Sequence, residues 1–167
     1  MPGRLFPRDP LSLPAQLREL AAQRPLATAW VPEVHATALD LTLADAHYPK
    51  ESDFLAYCAR RNSELLRGPV YLALLAIVSP TMMVAALRAG WSMFHRGTTL
   101  ALVEKSPGKA RLRLAFPPYV LPELVARAYG TAFFIAAEAT RVVHRCTSEL
   151  IDFQRDSASY EVNWQAS

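Results

Sequence analysis

The sequence lacks the short motifs that most often identify a chemistry. It contains no glycine-rich phosphate loop, no GxSxG nucleophile elbow and no HExxH zinc motif. It has only two cysteines, Cys58 and Cys146, which are too few for a multi-bridge disulfide framework. Because the mechanisms that depend on these motifs have no candidate residues, the sequence predicts a protein without enzymatic activity.

The chain also carries only a small net charge. The 167 residues carry a net charge of +3, which is less than nucleic-acid-binding domains usually concentrate on one face. Arginine outnumbers lysine by fifteen to three, which we attribute to a GC-rich genome, and the N-terminus does not resemble a signal peptide. We therefore predict a bacterial, cytoplasmic protein with two free thiols that binds no nucleic acid. A single disulfide between Cys58 and Cys146 is the alternative.

One hydrophobic run is long enough to raise the question of a membrane span. Residues 68–87 contain no charged side chain over twenty positions. Ser79-Pro80 divides the run, since serine is a good N-cap and proline suits the first turn of a helix. The pattern favours two buried helices, over residues 71–78 and Pro80–Phe94, rather than a membrane span. It does not show whether the run belongs to the core or to an interface.

Prolines are concentrated in residues 1–14, and the rest of the chain has no obvious linker. Four prolines in this stretch predict an extended arm, followed by a single domain over residues 15–167. Apolar residues at helical spacing predict three further helices ahead of residue 68. These are Ala15–Gln23, residues 30–46, and residues 53–66 with Ser52 as the N-cap.

The C-terminal part, residues 99–164, has the pattern of a hairpin, a helix and a second hairpin. Residues 110–114 alternate strictly between apolar and basic side chains, and Ser106-Pro107-Gly108 is typical of the preceding turn. Apolar residues then recur at helical spacing over residues 121–139. Residues 142–147 and 160–164 are strand-like, with Tyr160, Val162 and Trp164 on one face. The sequence therefore predicts an α+β fold in which N-terminal helices pack on a four-stranded antiparallel sheet.

Two sets of residues are candidates for binding. Trp91, Phe94, Phe116 and Phe133 could line an apolar pocket between helix 80–94 and the sheet, although an ordinary aromatic core is the simpler interpretation. His144 and Cys146 lie two residues apart on a predicted strand and are weak candidates for metal ligands. A packed cysteine and a histidine at a sheet edge is the interpretation we favour. No cofactor is identified by the sequence.

The order of the elements resembles a known superfamily. This superfamily contains the haem–nitric-oxide-binding domains, the 4-vinyl-reductase-like domains and the TRAPP trafficking subunits. Residues 160–164 and the helix that contains Gly130 also resemble a myxobacterial paralogous family of unknown function. The haem-binding members carry a Tyr-x-Ser-x-Arg signature near the second strand, where this chain reads Arg111-Leu112-Arg113. Their proximal histidine lies well before the sheet, whereas His95 immediately precedes the first strand. The resemblance thus implies the scaffold rather than the haem.

Two functions are compatible with these observations. The first is a non-catalytic interaction or scaffold module that self-associates as a homodimer or docks on a partner protein, because the helices offer more apolar surface than the sheet can cover. The second is a small-molecule sensor that binds an apolar ligand between helix 80–94 and the sheet, with haem the less favoured ligand.

Overall fold

The structure is a computed structural model, which describes residues 14–23, 31–66, 80–140 and 143–166. Residues 1–13 of the predicted arm and the predicted helix over residues 71–78 lie outside this part of the chain. In the part that is described, no helix combines the length and the apolar character needed to cross a membrane.

The described residues form helices and one antiparallel sheet, so the predicted α+β class is confirmed. The strand order is β1-β2-β4-β3, and all neighbours are antiparallel. The elements in chain order are α1 (Ala15–Gln23), α2 (Glu33–His47), α3 (Glu51–Leu66), α4 (Pro80–Phe94), β1 (Thr99–Ser106), β2 (Lys109–Ala115), α5 (Glu123–Glu138), β3 (Val143–Gln154) and β4 (Ser157–Ala166).

The two hairpins follow the predicted alternation, but the second is longer than predicted. Leu112 and Leu114 are fully buried, and Arg111 lies on the opposite face of β2, where its guanidinium contacts two carboxylates. In the first turn, Gly108 has a φ of +77°, and a Cβ atom there would lie 2.9 Å from the carbonyl oxygen of Trp164. Only glycine fits this turn without a shift of the backbone.

The main core lies between the inner face of the sheet and helix α5. Tyr160 and Phe133 are almost completely buried, with ring centroids 4.9 Å apart in an edge-to-face arrangement. The opposite side of α5 packs on a second, smaller core formed by Leu43, Ala44 and Phe54. Helix α5 is therefore covered on two sides, which explains why its apolar residues occupy more than one stripe.

The start of α3 differs from the prediction. The helix begins at Glu51, and the carbonyl of Lys50 accepts the backbone N–H groups of Asp53 and Phe54. Ser52 therefore lies inside the first turn, and the prediction that it is the N-cap is wrong. Two acidic residues in that turn, Glu51 and Asp53, are favoured by the helix dipole.

Strands β1 and β3 form the two edges of the sheet. Each contains an irregularity in its pairing, between Leu102 and Glu104 in β1 and between Leu150 and Asp152 in β3. The residues at these positions, Val103 and Ile151, are exposed to 58% and 45%. Bulges of this kind limit the length of regular edge that another strand can pair with.

Candidate functional site

The four aromatic residues predicted to line a pocket lie in or beside the main core. Trp91 and Phe133 pack together with ring centroids 6.1 Å apart, and both are buried. Phe116 is also buried, but its ring packs on Phe153 at 6.4 Å. Phe94 is the last residue of α4, and its side chain lies outside the described part of the chain. That these residues bind a ligand stays a prediction.

Beside Trp91 lies a polar cluster that joins three helices. The carboxylate of Glu33, in the first turn of α2, is 3.4 Å from Nδ1 of His95 and accepts a hydrogen bond from the hydroxyl of Tyr129 in α5. The imidazole of His95 stacks on the Trp91 ring with centroids 3.9 Å apart. The indole Nε1 of Trp91 donates to Thr98 Oγ1 at 2.9 Å, which anchors the end of α4 to the start of β1.

The cluster shifts the proton affinities of its members. Burial alone would raise the pKa of Glu33, but hydrogen bonds with His95 and Tyr129 and the charge on His95 outweigh it and hold the pKa below its usual value. Burial and the nearby carboxylate raise the pKa of Tyr129 far above that of a free phenol. At neutral pH Glu33 is therefore a carboxylate that accepts a hydrogen bond from the neutral Tyr129 phenol and lies beside His95.

The inner face of α2 continues with further polar residues. Thr37 is only 5% exposed, and its Oγ1 has no hydrogen-bond partner in the described structure. Burial raises the pKa of Asp40, although the charge of Arg61 opposes this effect. Sequence reasoning missed Glu33 and Thr37. Their spacing with Asp40, four and then three residues, is the signal that could have placed all three on one helix face.

The weak metal candidates are only partly described. The side chain of His144 lies outside the described residues, whereas Cys146 is half-buried on the inner face of β3. Burial, together with the charge of Glu138, raises the pKa of the Cys146 thiol to about 11, so the thiol stays protonated at neutral pH. Both cysteines are free thiols. Among the described residues, no group of three or more His, Cys, Asp or Glu side chains could hold a metal ion.

A groove of about 500 Å³ opens between α3, α5 and β3. Its walls are mainly apolar, and a few polar groups lie along the floor and rim. The residues that line it are Leu55, Ala59, Arg127, Gly130, Thr131, Phe134, Ser148, Glu149 and Leu150. This volume lies within the range of pockets that bind small molecules in other proteins.

The floor of the groove contains a hydroxyl group without a partner. Ser148 Oγ is buried and makes no hydrogen bond in the described structure. Gly130 faces it from α5, and a Cβ atom at Gly130 would lie 3.8 Å from this oxygen and 3.6 Å from the Tyr160 ring. The neighbouring Thr131 hydroxyl, in contrast, donates to the Ala128 carbonyl and accepts from Asn62. Ser148 is thus a residue of the lining whose buried hydroxyl has no hydrogen-bond partner in the described structure.

The cation at the rim of the groove is already neutralised. The guanidinium of Arg127 lies 2.7 Å from Glu123 and 3.2 Å from Glu51. Glu149 adds a further exposed carboxylate to the lining. The rim therefore carries no excess of positive charge, and the groove suits an uncharged molecule better than an anion.

Sequence comparisons identify no relative, but structural comparisons identify a fold. No protein-family model and no curated protein matches the chain. The Fe(II) unliganded H-NOX protein from K. algicida is 13% identical, with a TM-score of 0.56, and the match covers 91% of this chain and 87% of that one. An alanine-to-glycine mutant of an H-NOX protein from K. algicida, also Fe(II) and unliganded, is 12% identical, with a TM-score of 0.56 and coverage of 90% and 86%.

These matches test the resemblance found in the sequence at the level of fold. The similarity to the haem–nitric-oxide-binding domains is confirmed to that extent. The similarities to the vinyl-reductase-like, TRAPP and myxobacterial families stay predictions. An identity of 12–13% is too low to carry over a ligand or an activity. The chain therefore has the fold of the H-NOX proteins.

Proposed function

We propose that the protein is a non-catalytic sensor module that binds a small, mainly apolar, uncharged molecule in the groove between α3, α5 and β3. The observation that carries the proposal is the unpartnered Ser148 hydroxyl in the lining of a mainly apolar groove. A buried hydroxyl without a hydrogen bond costs free energy, and a ligand with one hydrogen-bonding group would remove that cost. The H-NOX fold of the chain supports the same class of function.

The lining of the groove does not fit a haem. No histidine, cysteine or tyrosine lines the groove, so an iron atom there would lack its usual axial ligands. His95 lies elsewhere, with its Nδ1 beside Glu33 and its ring stacked on Trp91. On β2, the Arg111 guanidinium is already paired with the carboxylates of Glu104 and Glu161, and Arg113 donates one hydrogen bond to Ser157. A different ligand is therefore proposed.

The absence of catalysis is part of the proposal. The cluster of Glu33, His95 and Tyr129 contains acid–base groups, but none of the three lines the groove. The cluster instead connects helices, because the Glu33 carboxylate contacts Nδ1 of His95 and the hydroxyl of Tyr129. A general acid or base must reach the proton that it transfers.

Binding of two matched fluorescent probes tests the proposal. 2-Naphthol and naphthalene share an apolar bicycle, but only 2-naphthol has a hydroxyl for Ser148. We expect the full chain to bind both and Ser148→Ala to weaken 2-naphthol binding by about two- to tenfold while leaving naphthalene unchanged.

A second pair of variants tests the place of binding. Ala59→Phe fills the groove from α3 and should abolish binding, whereas Ala56→Phe on the exposed side of the same helix should have no effect. Circular dichroism checks that each variant is folded. If Ala59→Phe bound the probes as well as the unchanged chain does, the groove would be rejected as the binding site. If the unchanged chain bound neither probe, the proposal of an apolar ligand would be rejected.

A further inference from the structure

Strand β3 has one paired edge and one that no described strand occupies. It pairs with β4 along its length, and within the described residues it ends the sheet on that side. Between two irregularities, residues 145–150 form a regular stretch opposite β4. A regular edge with unpaired N–H and C=O groups can accept another strand.

A carboxylate on this stretch lacks a cation. Glu149 lies directly opposite Glu161 of β4, and like charges in such a position repel each other. Glu161 is compensated by Lys109 at 2.7 Å and by Arg111 at 3.4 Å. In the described part of the chain, no ion pair is recorded for Glu149. A cation placed along the free edge of β3 would therefore relieve the repulsion.

The same stretch also carries a cation without an ion pair among the described residues. Arg145 is exposed and lies opposite Gln165 of β4. It points to the same outer face as Glu149, because the two are four residues apart on a regular strand. The other edge of the sheet differs, since Glu104 of β1 already pairs with Arg111 at 3.3 Å.

We propose that two copies of this chain pair along β3, antiparallel, about a two-fold axis through Thr147. In this register Arg145 of each copy lies opposite Glu149 of the other, so the dimer contains two such pairs and each unpaired charge is compensated once. The two sheets become one eight-stranded sheet with the helices of both copies on the same side. The proposal concerns assembly and does not depend on the ligand of the groove.

The inner face of the paired strands is compatible with this register. Cys146 of one copy lies opposite Ser148 of the other, and both side chains are small. The irregularities next to Arg145 and after Leu150 then limit the pairing to the regular stretch. Because this contact is short, we expect a dimer that dissociates on dilution rather than an obligate one.

Charge reversal and charge exchange test the register. Arg145→Glu places two glutamates opposite each other across the interface, and Glu149→Arg places two arginines there. Each single variant of the full chain should raise the dimer dissociation constant about tenfold at low salt, as measured by analytical ultracentrifugation over a dilution series. The double variant, Arg145→Glu with Glu149→Arg, exchanges the charges and should restore the affinity of the unchanged chain.

Matched controls separate this interface from a general effect of charge. Arg155→Glu and Asp156→Arg change the same charges in the turn after β3 and should leave the dissociation constant unchanged. High salt should reduce the difference between the single variants and the unchanged chain. A chain that is monomeric at every concentration, single variants without effect, or a double variant as weak as the single ones would each overturn the proposal.

Discussion

Glu33 is the residue through which polar contacts join α2 to both α4 and α5. Its carboxylate contacts His95 and Tyr129, and its pKa is held below the usual value by these contacts. Between the folded and the unfolded pKa, the folded state binds fewer protons than the unfolded state. The contribution of Glu33 to stability is therefore complete above the pKa that Glu33 has in the unfolded chain. It is lost as the pH falls through the pKa that Glu33 has in the folded state.

Glu33→Gln should remove this acid sensitivity. At pH 7 the substitution should lower the free energy of unfolding by about 1–3 kcal/mol, because Tyr129 and His95 lose a charged partner. Below the ordinary glutamate pKa of about 4.3, the difference from the unchanged chain should shrink, since Glu33 itself becomes protonated as the pH falls through its lowered pKa. Urea unfolding at several pH values measures both effects. Glu64→Gln, at an exposed position of α3, is the control, and a constant difference at every pH would contradict this account.

Whether a single residue could be predicted depends on how its neighbours constrain it. The burial of Leu112 and Leu114 follows from strict alternation, because a strand has only two faces. The roles of Glu33 and Tyr129 do not follow from any such pattern, since a glutamate in the first turn of a helix is usually explained by the helix dipole. Their contact joins distant parts of the chain, and no local pattern encodes it.

At the scale of elements, one hydrogen bond fixes how α5 lies on the sheet. The hydroxyl of Tyr160 in β4 donates to the backbone carbonyl of Ala126 at 2.9 Å, and the tyrosine ring is completely buried. Burial also raises the pKa of this hydroxyl, so it remains a donor at all ordinary pH values. The bond sets the position of α5 along β4, where nonpolar packing alone would allow small shifts.

Tyr160→Phe should lower the free energy of unfolding by about 1–2 kcal/mol with little change in volume. Hydrogen exchange should rise at the amides of the first two turns of α5, since the helix is less firmly held there. Tyr119→Phe changes the same group at a position that is 80% exposed and should have no measurable effect. Equal effects of the two variants would show that the Tyr160 hydroxyl contributes nothing specific.

The types of most described elements could be predicted, but their ends and surroundings could not. The bounds of α4 follow from Ser79-Pro80 and from the break after Phe94, which are local signals. Strand β3 runs to Gln154, well beyond residue 147, because its continuation depends on pairing with β4 rather than on its own alternation. The groove was not predicted, since it exists only where α3, α5 and β3 meet.

At the scale of the whole molecule, the sheet is made of two local hairpins joined by one distant pairing. Strands β1 and β2 are separated by a tight turn, and so are β3 and β4. The central pairing, β2 with β4, instead joins residues such as Leu112 and Tyr160 that lie on either side of α5 in the chain. The layers could be predicted from the sequence, whereas the order in which the hairpins meet required the structure.

This strand order has a consequence for the rate at which the chain folds. Each hairpin can close quickly on its own, but the β2–β4 pairing must first close a long loop that contains α5 and β3, and such closure is slow. Val162→Ala, which weakens the β2–β4 seam, should therefore slow refolding. Phe54→Leu, in the second core, should mainly accelerate unfolding. Stopped-flow refolding and unfolding across a urea series separates the two, and a Val162→Ala chain that refolds at the unchanged rate would place the slow step elsewhere.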